Sequence, residues 1–247
     1  EVDLPERARN ANGTSAAAKH KRVKPGAKVS GKPEADGEKP EPKPFNKVAA
    51  GIIMQTMYCS RMARHDLLRC VGNLSTYLTC WGREEDAKLH RMMSYINKTK
   101  TTRQVAFIGD SPDDLYLGLF ADSDLAGDRR DHKSTSGVFL ALMGPHTFFP
   151  LSGISKKQTC ASHSSPEAEI VALDAALRME GLPALDLWEV ILGRKLKLKV
   201  YEDNQACQQI VRSGKSPSLR HVKRTHGISI SVLHALYTVS YTHLTLP

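Results

Sequence analysis

The sequence predicts an α/β fold on one mixed sheet, preceded by a helical hairpin and an N-terminal tail without fixed structure. Three observations carry this reading. From position 104 onward, three alternating apolar runs are followed by helix, strand and helix patterns, an order that suits one mixed sheet. Between 47 and about 100, apolar residues recur at three-to-four spacing, the period of a helix packed on one side. Residues 1–46 are rich in Lys, Pro, Glu and Gly and hold almost no large apolar side chains. Such a segment cannot bury enough surface to offset the entropy of ordering.

Taken in order, 1–46 is expected to be a disordered linker whose basic part, 19–32, is a solvated tether or a phosphate contact. Next comes a helical connection segment over 47–103. "HDLLRCVGNLSTYLTCW" sets Leu67, Val71, Leu74, Leu78 and Trp81 on one face, with Asp66 as the expected N-cap. "REEDAKLHRMMSYINKT" repeats the pattern through Leu89, Met92, Met93 and Ile96, after acidic residues that suit a helix start. The two form a hairpin, and His65 and His90 read as surface or packing residues.

The third segment, 104–235, holds the sheet. "DDLYLGLFAD" alternates, with Leu115, Leu117, Leu119 and Ala121 on one face. "SGVFLALMG" and "PHTFFPLSG" are two further strands, turned at Gly144-Pro145. "SSPEAEIVALDAALRME" is a helix capped by Ser164 or Ser165, with Pro166 in its first turn. "PALDLWEVIL" is a second helix after Pro183. "RKLKLKVYEDN" is an alternating strand, and "NQACQQIVRSG" is a short helix ended by Gly214.

The net charge of +9 favours acidic partners, nucleic acid first, although charge alone leaves nucleic acid and no partner equally open. The five cysteines are too few and too irregularly spaced for a disulfide framework or a zinc site. They read as buried free thiols of a protein in a reducing, intracellular compartment. No apolar run reaches the roughly 18 residues of a membrane span, so no membrane partner is expected. A start other than Met suggests a processed piece or fragment. There is no GxSxG, Walker loop or HExxH, and "SHSS" at Ser162–Ser165 sets Ser and His too close in sequence for a dyad.

Three acids stand out by position. Asp122 ends the first strand, Glu169 lies in the first two turns of the helix after the meander, and Asp203 ends the later strand. Each alone is weak evidence, because acids at such places mostly serve as turn and cap residues. Together, on neighbouring strand ends, they would repel one another unless a divalent cation joins them. All-oxygen ligands favour Mg²⁺ or Mn²⁺. Two such ions, about 3.5–4 Å apart, are the usual apparatus for phosphodiester hydrolysis.

The wording around these acids carries a family resemblance. Asp122-Ser-Asp-Leu-Ala-Gly-Asp, "HKSTSG", "SKKQ" at Ser155–Gln158, "SSPEAEIVAL" at Ser164–Leu173 and "YEDNQ" at Tyr201–Gln205 follow one another over about 90 residues. In this order they resemble the ribonuclease H region of copia-type LTR retrotransposon Pol polyproteins. The upstream 62–99 is similar to the family's segment that joins reverse transcriptase to ribonuclease H, so the resemblance spans roughly 55–235. It implies a ribonuclease H-like fold: a five-stranded mixed sheet, three antiparallel strands first, then strands alternating with helices. It also implies hydrolysis of the RNA strand of RNA–DNA hybrids during reverse transcription, leaving a 3′-hydroxyl and a 5′-phosphate.

By motif, Asp122, Glu169 and Asp203 would be the catalytic metal ligands for two Mg²⁺ or Mn²⁺ ions, with Asp124 the runner-up ligand. Glu167 is better read as a helix-start residue. Lys156, Lys157 and Asn204 are candidate nucleic-acid contacts, the two lysines equally readable as a solvated turn. The reverse transcriptase portion of the same polyprotein is the implied partner, in a cytoplasmic particle or the nucleus.

The sequence also departs from the family. Lys223 stands in "LRHVKRTHGISIS" where the family often has Asp, and Leu125 replaces a Trp. No Ala-Asp follows to supply a fourth carboxylate, and the family's last helix is expected to be missing. The tail 236–247 does not look like the family. "SYTHLTLP" resembles translated adaptor tails and is expected to have no fold role. Three readings therefore stay open: an active nuclease, a catalytically dead nucleic-acid-binding module of the same fold, and a fragment without a function of its own.

Overall fold

The computed structural model describes residues 45–128, 130–238 and 242–245. All but the last two residues of the expected linker lie outside them. Three helices come first: α1 (Asn46–Met62), α2 (Leu68–Ser75) and α3 (Arg83–Lys98). The expected hairpin thus has a third member, α1. Ile53, Val71, Leu74, Trp81, Leu89 and Met92 close a small core between them, as the helical spacing required. Met93 is exposed instead. Asp66 is not an N-cap. A 3-10 turn over His65–Leu67 precedes α2, and the Asp66 carboxylate instead accepts from Arg64 and from the Tyr95 hydroxyl at 3.0 Å.

The meander follows as β1 (Tyr116–Asp124), β2 (Thr135–Gly144) and β3 (Thr147–Lys157), antiparallel throughout. β1 runs two residues past Asp122, which pairs with Gly137 inside the strand instead of ending it. The β2–β3 register shifts at Leu140/Ala141, beside Pro150. A proline without an N–H is tolerated there because β3 is an edge strand. Next is α4 (Ser165–Ala176), with Ser164 as N-cap and Pro166 in its first turn. It does not stop before Pro183. A π turn over Leu177–Gly181 carries it directly into α5 (Leu182–Leu192). There Gly181 packs so close to the sheet that a Cβ would sit 2.8 Å from Leu119.

β4 (Leu198–Tyr201) is shorter than its alternating sequence run, and α6 (Gln205–Ser213) ends at Gly214 with φ +68°. The helices α7 (Val222–Thr225) and α8 (Ile230–Thr238) lead to β5 (Thr242–Thr245). The sheet order is β3-β2-β1-β4-β5, with β4 and β5 parallel to β1. This is the expected mixed α/β arrangement, three antiparallel strands followed by strands that alternate with helices. The tail expected to have no fold role supplies the fifth strand, because its backbone pairs with β4 from Leu198 to Tyr201.

The main core lies between the sheet and α4. It joins Leu117, Leu119, Leu140 and Leu142 to Ile170, Leu173, Leu198 and Val200. On β3, Gly153 lets the first helices approach, since a Cβ there would meet Leu68 at 2.8 Å and His65 at 3.2 Å. His65 also packs edge-on against Phe139. The cysteines are free, but only Cys207 is buried, and Cys59 and Cys80 are exposed. Among the described residues, no helix is long and apolar enough to cross a membrane.

Candidate metal centre

β1 and β4 are central, parallel neighbours, with Phe120 paired to Tyr201. Asp122 lies two residues beyond Phe120, and Asp203 lies two beyond Tyr201 in the turn after β4. Equal offsets on parallel strands bring both carboxylates to one edge of the sheet. α4, packed on β1 and β2, brings Glu169 to the same edge. Asp122, Glu169 and Asp203 each offer a carboxylate oxygen, and all three atoms lie within 4.8 Å of one another. Among the described residues, they are the one group of metal-ligating side chains this close.

The electrostatics are those of an uncompensated acidic cluster. Glu169 is 4% exposed, and its Oε2 is buried without a hydrogen-bond partner. Burial, then the Asp122 charge and more weakly that of Asp203, push its carboxyl up to about 7. An unpartnered carboxylate oxygen facing two like charges fits a hard divalent cation, which takes oxygen ligands. The residues present therefore suit Mg²⁺ or Mn²⁺.

The first turn of α4 is braced from several sides. Gln158 Nε2 donates to the Ala168 carbonyl and to Ser136 Oγ, both at 3.0 Å, and Gln158 Oε1 accepts from Ser162. Asn204 caps α6 by accepting from the Cys207 N–H at 3.0 Å, and its Nδ2 donates to Ser165 Oγ at 3.2 Å. These two bonds tie the segment after Asp203 to α4; Asn204 is also one of the residues expected to contact nucleic acid.

The other expected residues lie apart from the cluster. Asp124, the runner-up ligand, accepts from the Thr135 N–H and pairs with Arg69 of α2, and it is not one of the three clustered acids. Lys156 and Lys157 sit on β3, not in a turn before the helix. Lys156 is exposed. Lys157 pairs with Asp128 and with Asp131 at 2.9 Å, and it is the main cause that holds Asp128 well below the usual carboxylate range. A groove of about 390 Å³ opens beside Asp122, lined by His65, Arg69, Phe120 and Phe139 among others.

One residue escaped the sequence reading. Glu202, fully buried, accepts from the Asn204 N–H through Oε1 at 3.2 Å, while its Oε2 has no partner. Burial, then the charges of Glu169, Asp203 and Asp122, push it up to about 8. The signal was available. Leu198 and Val200 of β4 face the core, and Glu202, one residue past the strand, continues the same alternation, where an acid is out of place.

No protein-family model matches the chain. It is 30% identical over 179 residues to the retrovirus-related Pol polyprotein from transposon TNT 1-94 of Nicotiana tabacum, across 72% of this chain and 12% of that protein. It is 32% identical over 119 residues to the Pol polyprotein from transposon RE1 of Arabidopsis thaliana, across 48% of this chain and 8% of the relative. The chain thus spans about a tenth of the length of these relatives. Among solved structures, ribonuclease H1 from Halobacterium salinarum aligns over 53% of this chain and 85% of its own, at 13% identity and a TM-score of 0.35.

Proposed function

We propose that this chain, whose homologues are the retrovirus-related Pol polyproteins of copia-type transposons, is the ribonuclease H domain of such a polyprotein. Its reaction is hydrolysis of the RNA strand of an RNA–DNA hybrid during reverse transcription, leaving a 3′-hydroxyl and a 5′-phosphate. The observation that carries this reading is the convergence of Asp122, Glu169 and Asp203, from two parallel strands and a helix, within 4.8 Å.

In this reading Asp122 and Asp203, both exposed, and Glu169, from the buried side, would hold two Mg²⁺ or Mn²⁺ ions. The bound cations supply charge neutralisation and a more acidic water. The groove beside Asp122 admits the RNA strand, and contacts to 2′-hydroxyls select RNA over DNA. The reverse transcriptase portion of the same polyprotein is the partner, and the setting is intracellular, in a cytoplasmic particle or the nucleus.

The test is cleavage of an end-labelled hybrid by the full chain. Mg²⁺- or Mn²⁺-dependent cutting of the RNA strand is expected, reduced at least about a hundredfold by Asp122→Asn or Asp203→Asn. A chain that cuts no hybrid with either ion overturns the reading. Hybrid binding without cleavage, weakening steeply with salt, would instead support a non-catalytic module of the same fold. The net charge of +9, which suits a phosphate backbone, is the observation that favours this second reading.

A further inference from the structure

Outside the carboxylate cluster, a second polar group is buried around Glu167. This residue is the third of α4 and is 1% exposed. Its Oε2 accepts from the His163 N–H at 2.9 Å. Its Oε1 faces two imidazoles from the segment after α6, more than fifty residues away. His226 Nε2 donates to it at 3.2 Å, and His221 Nε2 lies 3.1 Å from the same oxygen, outside hydrogen-bonding angles.

The arrangement is not cheap packing. The His226 side chain is 1% exposed, and while its Nε2 is spent on the Glu167 carboxylate, its Nδ1 faces the interior. That atom is buried without a partner. Replacing a buried polar pair of this kind by apolar residues of the same shape is often neutral or stabilising, so burial alone does not account for it. What the pair does achieve is mechanical. The His-bearing segment is anchored in the core by Leu219, Val222 and Ile228. Through Glu167 it grips the first turn of α4, and Glu169 follows two residues later on the same turn.

We propose that His226, assisted by His221, is a positioning residue that clasps Glu167 and so holds Glu169 in place against Asp122 and Asp203. The inference rests on the metal-centre reading above, and its test separates the two. The full chain is compared with His226→Leu and His226→Gln, the glutamine keeping an N–H donor for Glu167. Two readouts are used: hydrogen exchange of the Glu167, Ala168 and Glu169 amides without metal, and Mn²⁺ affinity from the free-Mn²⁺ paramagnetic signal.

His226→Leu is expected to speed exchange at least tenfold and to weaken Mn²⁺ binding at least fivefold, while His226→Gln returns both to within about twofold. Glu167→Gln, which keeps the shape and loses the charge, serves if His226→Leu fails to fold, with the same expected losses. Exchange and affinity within twofold of the parent in a folded variant overturn the clasp. If exchange quickens but Glu169 binds Mn²⁺ as before, the clasp holds the helix but not the ligand, and the positioning role falls. If the parent chain itself takes up no Mn²⁺, the metal-centre reading falls and the positioning role with it.

Discussion

At the scale of single residues, Glu169 and Glu202 set how the metal-free protein answers pH. Both are acids whose folded values, about 7 and about 8, lie above the ordinary 4.5. Between about pH 4.5 and those values the folded chain holds more protons than the unfolded one. Their contribution to stability is therefore full below about 4.5 and is lost as pH rises through 7 and 8. Melting temperature in chelator should fall from pH 5 to pH 8. Millimolar Mg²⁺ should flatten the fall, because a cation favours the charged form of Glu169. Glu202→Gln should raise the melting temperature at pH 8, by roughly 2–4 °C for each 1 kcal/mol recovered. A flat or rising profile without metal would contradict the burial of these two acids.

The elements that build the centre depend on close approaches as much as on apolar pattern. Gly153 is the clearest case, since any side chain there enters the space of Leu68 and His65. Gly153→Val should cost about 1–3 kcal/mol by overpacking, read as a lower denaturation midpoint at unchanged m. A mutant as stable as the parent would mean that the first helices do not press on β3. α4 is held differently, by the Ser164 cap at its start and by Gln158 and Asn204 beside it. Its helical pattern was plain in the sequence, but the uninterrupted passage into α5 was not. The signal at Pro183 reads as a break, but the π turn over Leu177–Gly181 just before it carries the chain on into α5.

For the whole molecule, the described residues from Phe45 onward form one compact unit in which the helical segment and the sheet share contacts. Arg69 of α2 pairs with Asp124. Arg130 of the β1–β2 hairpin lies 3.7 Å above the Tyr77 ring and donates to Thr76 at 3.1 Å. A chain beginning at 104 should thus melt well below the full chain. The loss is on the order of 2 kcal/mol or more, because Leu68 alone, once uncovered, forfeits about 1.5–3 kcal/mol. Calorimetry of both chains checks this, and equal melting temperatures would show the helices to be an independent module.

Much of this architecture was legible in the sequence because its rules are local. Leu117 and Leu119 face the core because strand side chains alternate. Ser164 and Pro166 open α4 because a helix start needs a cap and can spare an N–H. Gly214 ends α6 because its φ is positive. The order of the motifs likewise marked Asp122, Glu169 and Asp203. Which acids stand free, and which are already taken, was decided only in three dimensions. Asp124, the runner-up ligand by motif, pairs with Arg69, 55 residues away, a contact that no local pattern foretells. Glu202 continues the buried alternation of β4, but only the fold shows that it lies behind the cluster. The parallel pairing of β1 with β4 joins strands some eighty residues apart, and no local period encodes that register. Spacing along the chain sets the face on which a side chain lies, while its charge partners are set by the packing of distant segments.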